Sequence, residues 1–97
     1  MTIRHLTIFV AVADHGSMSA AASYLYLSQP TISQAIRELE KEMKITIFLR
    51  TNKGIILSKE GEDFLGYARQ VLEQAAILED KYKGTSGGKS PGGDPAQ

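Results

Sequence analysis

Residues 28–40, with the sequence SQPTISQAIRELE, decide the fold, because they describe one helix with two chemically different faces. Ser28 is a good N-cap, and Pro30 falls in the first turn, where its missing N–H costs nothing. The apolar face of this helix is formed by Ile32, Ile36, Leu39 and Met43. At about 100° per residue, the opposite face consists of Gln29, Pro30, Ser33, Gln34 and Arg37. The pattern predicts a helix that packs one side into a core and turns a polar side outward.

Two further helices are predicted before this one. Apolar residues recur at helical spacing over residues 3–13, and Gly16 can adopt the positive φ that ends a helix. A second, shorter pattern covers residues 18–25, with Ser19 as the expected N-cap. About three residues then separate the second helix from the third, so the two are joined by a tight turn.

A β-hairpin and a long helix are predicted after residue 44. β-Branched and apolar residues dominate 45–49 and 55–57, on either side of the turn formers in 51–54. Ser58 then caps a helix that extends to about Lys83, roughly 37 Å at 1.5 Å per residue. Since a core of this size cannot cover that length, part of the helix is expected to face a second chain. The predicted seam has coiled-coil spacing and consists of Phe64, Ala68, Val71, Ala75, Leu78 and Tyr82.

Length and composition describe one small domain. The chain has 97 residues, of which 42% are hydrophobic and 23% charged, too few for two independent cores. Residues 84–97 contain five glycines and two prolines without a large apolar side chain, which predicts a flexible tail, either a truncated interdomain linker or an appended artificial segment. No apolar run approaches the roughly 18 residues that a membrane span needs. We therefore expect a cytoplasmic protein without a targeting segment.

The charges balance overall but not locally. Eleven basic and eleven acidic residues give a net charge of zero, which by itself argues against a nucleic-acid ligand. However, residues 28–59 contain six basic and three acidic side chains, whereas residues 60–83 contain three basic and six acidic ones. The positive excess thus lies on the third helix and the hairpin.

Enzymatic and metal-binding functions find little support. Without cysteine the chain has no disulfide, thiolate nucleophile or Cys-containing zinc site. His5 and His15 have no carboxylate at ligand spacing, and no serine is matched with a base and its orienting acid. We therefore predict neither a metal or other cofactor nor a catalytic site.

The order of the elements is that of a winged helix-turn-helix. The expected fold is mainly α, with three helices and a two-stranded β wing in residues 1–58, followed by a long linker or dimerisation helix in residues 59–83. Glutamine can pair with adenine, serine can donate or accept, and a proline ring can touch a thymine methyl group. Considered alone, the polar face fits a solvated surface equally well, and the motif order favours DNA. The alternative function is a winged-helix module for protein interaction or dimerisation that does not bind DNA.

Six short motifs follow one another along residues 2–83. They are Leu6-x-x-Phe9, Gly16-Ser17, Ala21-Ala22-x-x-Leu25, Ser28-Gln29-Pro30-x-x-Ser33-x-x-Ile36-x-x-Leu39-Glu40, Phe48-Leu49-Arg50 and Leu57-Ser58-x-x-Gly61. In this order they resemble the LysR-type transcriptional regulators of bacteria. The sequence departs from that family at Gln34, where an arginine is common, and at Lys44, where a glycine is usual.

The resemblance implies a DNA-binding domain that forms a homodimer through the long helix and binds double-stranded DNA at an interrupted inverted repeat. It also implies a separate effector domain, through which alone a small-molecule inducer would act. By position, the base-contacting residues would be Gln29, Pro30, Ser33 and Gln34. Those near phosphates would be Ser28, Thr31 and Arg37, and those in the wing Arg50 and Lys53.

Overall fold

The computed structural model describes residues 1–83. Four helices and one hairpin follow one another in the predicted order, and the fold is mainly α. The predicted flexible tail, residues 84–97, lies outside the described residues. The elements are α1 (Ile3–His15), α2 (Met18–Leu25), α3 (Gln29–Met43), β1 (Phe48–Thr51), β2 (Gly54–Leu57) and α4 (Lys59–Lys83).

Helix α1 is the centre of the core. Its buried face contacts α2, α3 and the first half of α4, and the Phe9 side chain is fully buried. The ring of Phe9 lies 5.6 Å from that of Phe48 and 5.4 Å from that of Phe64, between ring centroids. One aromatic cluster therefore joins α1 to the hairpin and to α4.

The predicted helix ends agree with the structure except at the start of α2. Gly16 ends α1 with a φ of 71°, and the Ser28 hydroxyl accepts from the Thr31 N–H at the start of α3, as predicted. The predicted cap of α2, Ser19, is wrong: the Ser17 hydroxyl accepts from the Ala20 N–H at 2.9 Å. Because Gly16 turns the chain sharply, the extended residue needed at an N-cap comes directly after it.

Helix α3 ends at a residue with a left-handed backbone. Lys44 has a φ of 60° and a ψ of 40°, and its N–H donates to the Glu40 carbonyl. A lysine here costs about 1 kcal/mol relative to an unstrained conformation. The backbone therefore keeps the left-handed conformation that favours glycine, although the residue here is lysine.

The hairpin is shifted along the chain relative to the prediction, because its first strand begins at residue 48 instead of 45 and ends at residue 51 instead of 49. Its strands pair antiparallel with Phe48 opposite Leu57 and Thr51 opposite Gly54, so residues 45–47 are not part of the sheet. The Glu40 carboxylate instead accepts from the backbone N–H groups of Ile47 and Phe48, at 2.8 and 3.3 Å. The Glu40 side chain therefore fixes the chain between α3 and β1.

Helix α4 begins on the core and then leaves it. The Ser58 hydroxyl accepts from the Gly61 N–H at 2.9 Å, and Arg69 binds Asp14 at the end of α1 at 2.6 Å. The hydrogen bond from Arg69 lowers the pKa of Asp14. Beyond Ala75 every residue to Lys83 is exposed. Within residues 1–83, no helix is both long and apolar enough to cross a membrane.

Candidate nucleic-acid interface

The polar side of α3 is open to solvent. The helix buries Ile32, Ala35, Ile36 and Leu39 against the rest of the domain. Opposite them, the side chains predicted as the polar face are exposed, apart from a half-buried Ser33. We call this set the recognition face: Gln29, Pro30, Ser33, Gln34 and Arg37.

The start of α3 is held by local hydrogen bonds. Besides its capping bond to the backbone N–H, the Ser28 hydroxyl lies 2.8 Å from the hydroxyl of Thr31. Both side chains are at the helix N-terminus, where the helix dipole favours an anion. Their position fits the predicted phosphate contacts.

Hydrogen bonds orient the middle of the recognition face. Arg37 donates through Nη1 to the Ser33 hydroxyl at 2.8 Å and through Nη2 to Gln34 Oε1 at 3.1 Å. Gln34 in turn donates through Nε2 to Glu38 Oε2 at 3.0 Å. Three residues of the recognition face therefore form one connected arrangement.

That arrangement extends to α1 through a contact the sequence analysis missed. The other carboxylate oxygen of Glu38 lies 2.9 Å from His5 Nε2. Hydrogen bonds from His5 and then from Gln34 lower the pKa of Glu38. No local sequence pattern links two residues 33 positions apart. The spacing of Thr2 and His5, however, is that of a capping box, which indicates that the His5 side chain is held in one orientation.

The wing places Arg50 beside α3. Alternation along β1 puts Arg50 on the same side as Phe48, which packs on the core. Arg50 lines one groove of about 250 Å³ with Gln29 and Ser33, and a second of about 230 Å³ with Ser33 and Arg37. The structure thus brings Arg50 next to the recognition face.

Lys53 lies at the tip of the wing, in the turn between the strands. The Thr51 hydroxyl accepts from the Lys53 N–H at 3.2 Å and donates to the Gly54 carbonyl at 2.9 Å. Gly54 has a φ of 121°, which an L side chain rarely adopts. The turn holds an exposed ammonium group away from the core.

The predicted seam of α4 divides between two roles. Ala68 is 2% exposed within its own domain, which leaves it little surface for the predicted dimer interface, and Phe64 packs its ring on Phe9. Both belong to the core because the first three turns of α4 cover α1. The seam residues that follow are more open to solvent, and Tyr67, 69% exposed, lies in line with them. We call this set the α4 apolar stripe: Tyr67, Val71, Ala75, Leu78 and Tyr82.

Metal binding finds no geometric basis in the part of the chain that is described. Residues 1–83 contain no group of three or more His, Cys, Asp or Glu side chains close enough to hold an ion. His5 is engaged by Thr2 and Glu38, and the His15 ring lies 4.7 Å from that of Tyr24.

Three helices, a tight α2–α3 turn, an outward polar α3 and a basic hairpin define a winged helix-turn-helix domain of the DNA-binding type. The family described as "Bacterial regulatory helix-turn-helix protein, lysR family" matches residues 3–62. The chain therefore belongs to the LysR family of regulatory proteins.

Relatives and solved structures agree with this assignment. The HTH-type transcriptional regulator ClcR of Pseudomonas putida is 37% identical over 89 residues, which are 92% of this chain and 30% of ClcR. The chain thus spans about a third of the length of such relatives. The CbnR DBD in a DNA complex superposes with a TM-score of 0.81 at 38% identity, covering 87% of this chain and 97% of that one. The BenM DBD in complex with catB site 1 DNA gives 0.83 at 32% identity, covering 92% and 100%.

Proposed function

We propose that this chain is the part of a bacterial transcription regulator that binds double-stranded DNA sequence-specifically, as a homodimer. The observation that carries the proposal is the recognition face of α3 with Arg50 directly beside it. Solved relatives of similar size are complexes with DNA, which supports the same ligand. The site of action would be the cytoplasm, where bacterial chromosomal DNA lies.

The recognition face has the chemistry to distinguish bases. Gln29 and Gln34 each offer a donor and an acceptor that match the major-groove edge of adenine, and Ser33 can donate or accept. Pro30 offers an apolar ring edge for a thymine methyl group. We assign base contacts to these four residues.

Phosphate contacts follow from charge and exposure. Arg37 on α3 and Arg50 and Lys53 in the wing are exposed cations, and Ser28 and Thr31 lie at a helix N-terminus. The acidic residues of α4 lie on a separate element. The zero net charge of the chain therefore averages a basic binding surface with an acidic helix.

Dimerisation would use the α4 apolar stripe. Its members fall within roughly 80° of one another around the helix, and Leu78 and Tyr82 are 60% and 74% exposed. A two-fold axis through paired α4 helices would present two α3 helices to successive major grooves. The expected operator is an interrupted inverted repeat with half-sites one helical turn, or a multiple of it, apart.

The greater length of the relatives suggests a second domain in the whole protein. Since ClcR is about three times as long as the matched region, we propose that an effector domain accompanies this domain in the whole protein. Any small-molecule inducer would act through that domain. The relatives are transcriptional regulators, so we propose a non-catalytic role.

Two substitutions separate base contacts from phosphate contacts. Gln29→Ala should weaken binding to the preferred operator by about 1–3 kcal/mol and relax the preference at one base pair, because an adenine edge loses its partner. Lys53→Ala should weaken binding to all duplexes alike and reduce the salt slope by about one, because one phosphate loses its cation. Affinities for a duplex series with one base pair changed at a time, at two salt concentrations, measure both effects. Equal losses on all duplexes for both variants would contradict the assigned roles.

A matched pair of substitutions on α4 tests the dimer. Leu78→Glu places a charge in the stripe and should raise the dimer dissociation constant at least about 100-fold, because a buried carboxylate has no partner there. Ile77→Glu is the control, since Ile77 is also exposed, at 51%, but points about 100° away. Sedimentation equilibrium distinguishes them. A monomeric parent chain, or equal effects of both substitutions, would refute this interface.

A further inference from the structure

The environment of Gln34 determines which way its side-chain amide points. Its oxygen accepts from the Arg37 guanidinium, which can only donate, and its nitrogen donates to the Glu38 carboxylate, which when ionised can only accept. Turning the amide over would set a donor against a donor and an acceptor against an acceptor. The orientation is therefore dictated by the chemistry of the two neighbours.

Glu38 is itself fixed from outside α3. Its Oε2 accepts a hydrogen bond from Gln34 Nε2, and its Oε1 accepts one from His5 Nε2. The backbone N–H of Thr2 donates to His5 Nδ1 at 3.2 Å, so the ring hydrogen resides on Nε2 and is directed at Glu38. The chain of contacts runs from the N-terminal cap of α1 to the recognition face.

The held amide keeps free hydrogen-bonding capacity. A glutamine side chain has two N–H donors and an oxygen with two lone pairs, and one of each is used here. The remaining donor and acceptor match adenine, which presents N7 and the N6 amino group, but not guanine, which presents two acceptors.

We propose that Glu38 and His5 are positioning residues that determine base specificity through Gln34. They lock its amide so that adenine is preferred over guanine at the base pair it meets, although neither residue contacts that base. The inference rests on the proposed DNA-binding function. A locked side chain binds with less loss of conformational freedom than a mobile one, so removal of the lock lowers discrimination rather than abolishing binding.

The test compares Glu38→Ala with Glu38→Gln. Both variants lose the same charge, so their general affinity for DNA should change equally. Only the alanine variant lacks an oxygen that can accept from Gln34. The probe is the duplex that the parent chain selects from a randomised library. The tested base pair is the one at which Gln34→Ala abolishes the base preference, and the duplex is made with either adenine or guanine there. Glu38→Ala should reduce the adenine-to-guanine affinity ratio about two- to tenfold, and Glu38→Gln should stay within about twofold of the parent chain.

A second pair tests His5. His5→Gln retains both the capping bond and a donor toward Glu38, whereas His5→Glu retains the cap but repels Glu38. Only the glutamate variant should lower the ratio. In a Gln34→Ala background, Glu38→Ala should have no further effect on the ratio, because its action passes through Gln34.

The outcomes separate this inference from the proposed function. A parent chain without sequence preference would overturn both. A specific parent chain whose adenine-to-guanine ratio is unchanged by Glu38→Ala, or equally reduced by Glu38→Gln, would overturn only the positioning role. Glu38 is exposed, and far-ultraviolet circular dichroism verifies that each variant is folded.

Discussion

Phe9→Ala is expected to remove a large fraction of the domain's free energy of unfolding. Phe9 is fully buried and contacts rings from the hairpin and from α4, so its removal leaves a cavity where three elements meet. Truncation of a buried phenylalanine costs about 3–5 kcal/mol. A domain of about 80 residues has a free energy of unfolding of roughly 4–12 kcal/mol, so the loss is a large fraction of the total.

Urea denaturation followed by circular dichroism measures this change in the free energy of unfolding. Tyr24→Ala is the control, since Tyr24 is also aromatic but 63% exposed, and we expect a loss below about 1 kcal/mol. If both variants lost the same small amount, the aromatic cluster would not hold the domain together. DNA binding by Phe9→Ala should fall in proportion to the fraction unfolded.

Gly61→Ala and Gly66→Ala are expected to change stability in opposite directions. Both glycines lie in α4, but a Cβ on Gly61 would be 2.2 Å from the backbone oxygen of Ile47, whereas one on Gly66 would meet nothing within 4 Å. The first substitution forces α4 away from the segment that leads into the wing and should cost about 3 kcal/mol. The second removes only the poor helix propensity of glycine and should add up to about 1 kcal/mol.

The same denaturation experiment measures both variants. Because Gly61 lies next to the base of the wing, Gly61→Ala should also weaken DNA binding under conditions in which the domain remains folded. Gly66→Ala should leave binding unchanged. If Gly61→Ala lost no stability, α4 would not pack closely against Ile47, and a loss in Gly66→Ala would contradict the open space around Gly66.

Features set by neighbouring residues were predictable from the sequence. The Ser28 cap, the Gly16 terminus and the apolar stripe of α3 each depend on spacing within one turn of helix, and each was predicted correctly. For α2 the sequence predicted Ser19 as the cap, but Ser17 is equally plausible from local sequence and is the residue that caps the helix. Only the left-handed turn at Gly16 decides between them.

Features set by tertiary contacts were not predictable. The beginning of β1 depends on the Glu40 carboxylate, which occupies N–H groups seven and eight residues later. The seam of α4 was predicted from spacing alone, and only the position of α1 shows that Ala68 lies inside the core while Tyr67 faces outward. The contact of His5 with Glu38 likewise requires the packing of α1 on α3.

The most direct test of the account is fluorescence-anisotropy titration of the dimer with a selected inverted-repeat duplex and a scrambled duplex, at several salt concentrations. If Arg37, Arg50 and Lys53 of each protomer neutralise one phosphate apiece, the logarithm of affinity should fall with the logarithm of salt concentration at a slope of about −5. The inverted repeat should bind at least about 1,000-fold more tightly than the scrambled duplex. Equal affinity for both duplexes, or a slope near zero, would contradict sequence-specific DNA binding and favour a protein-interaction module.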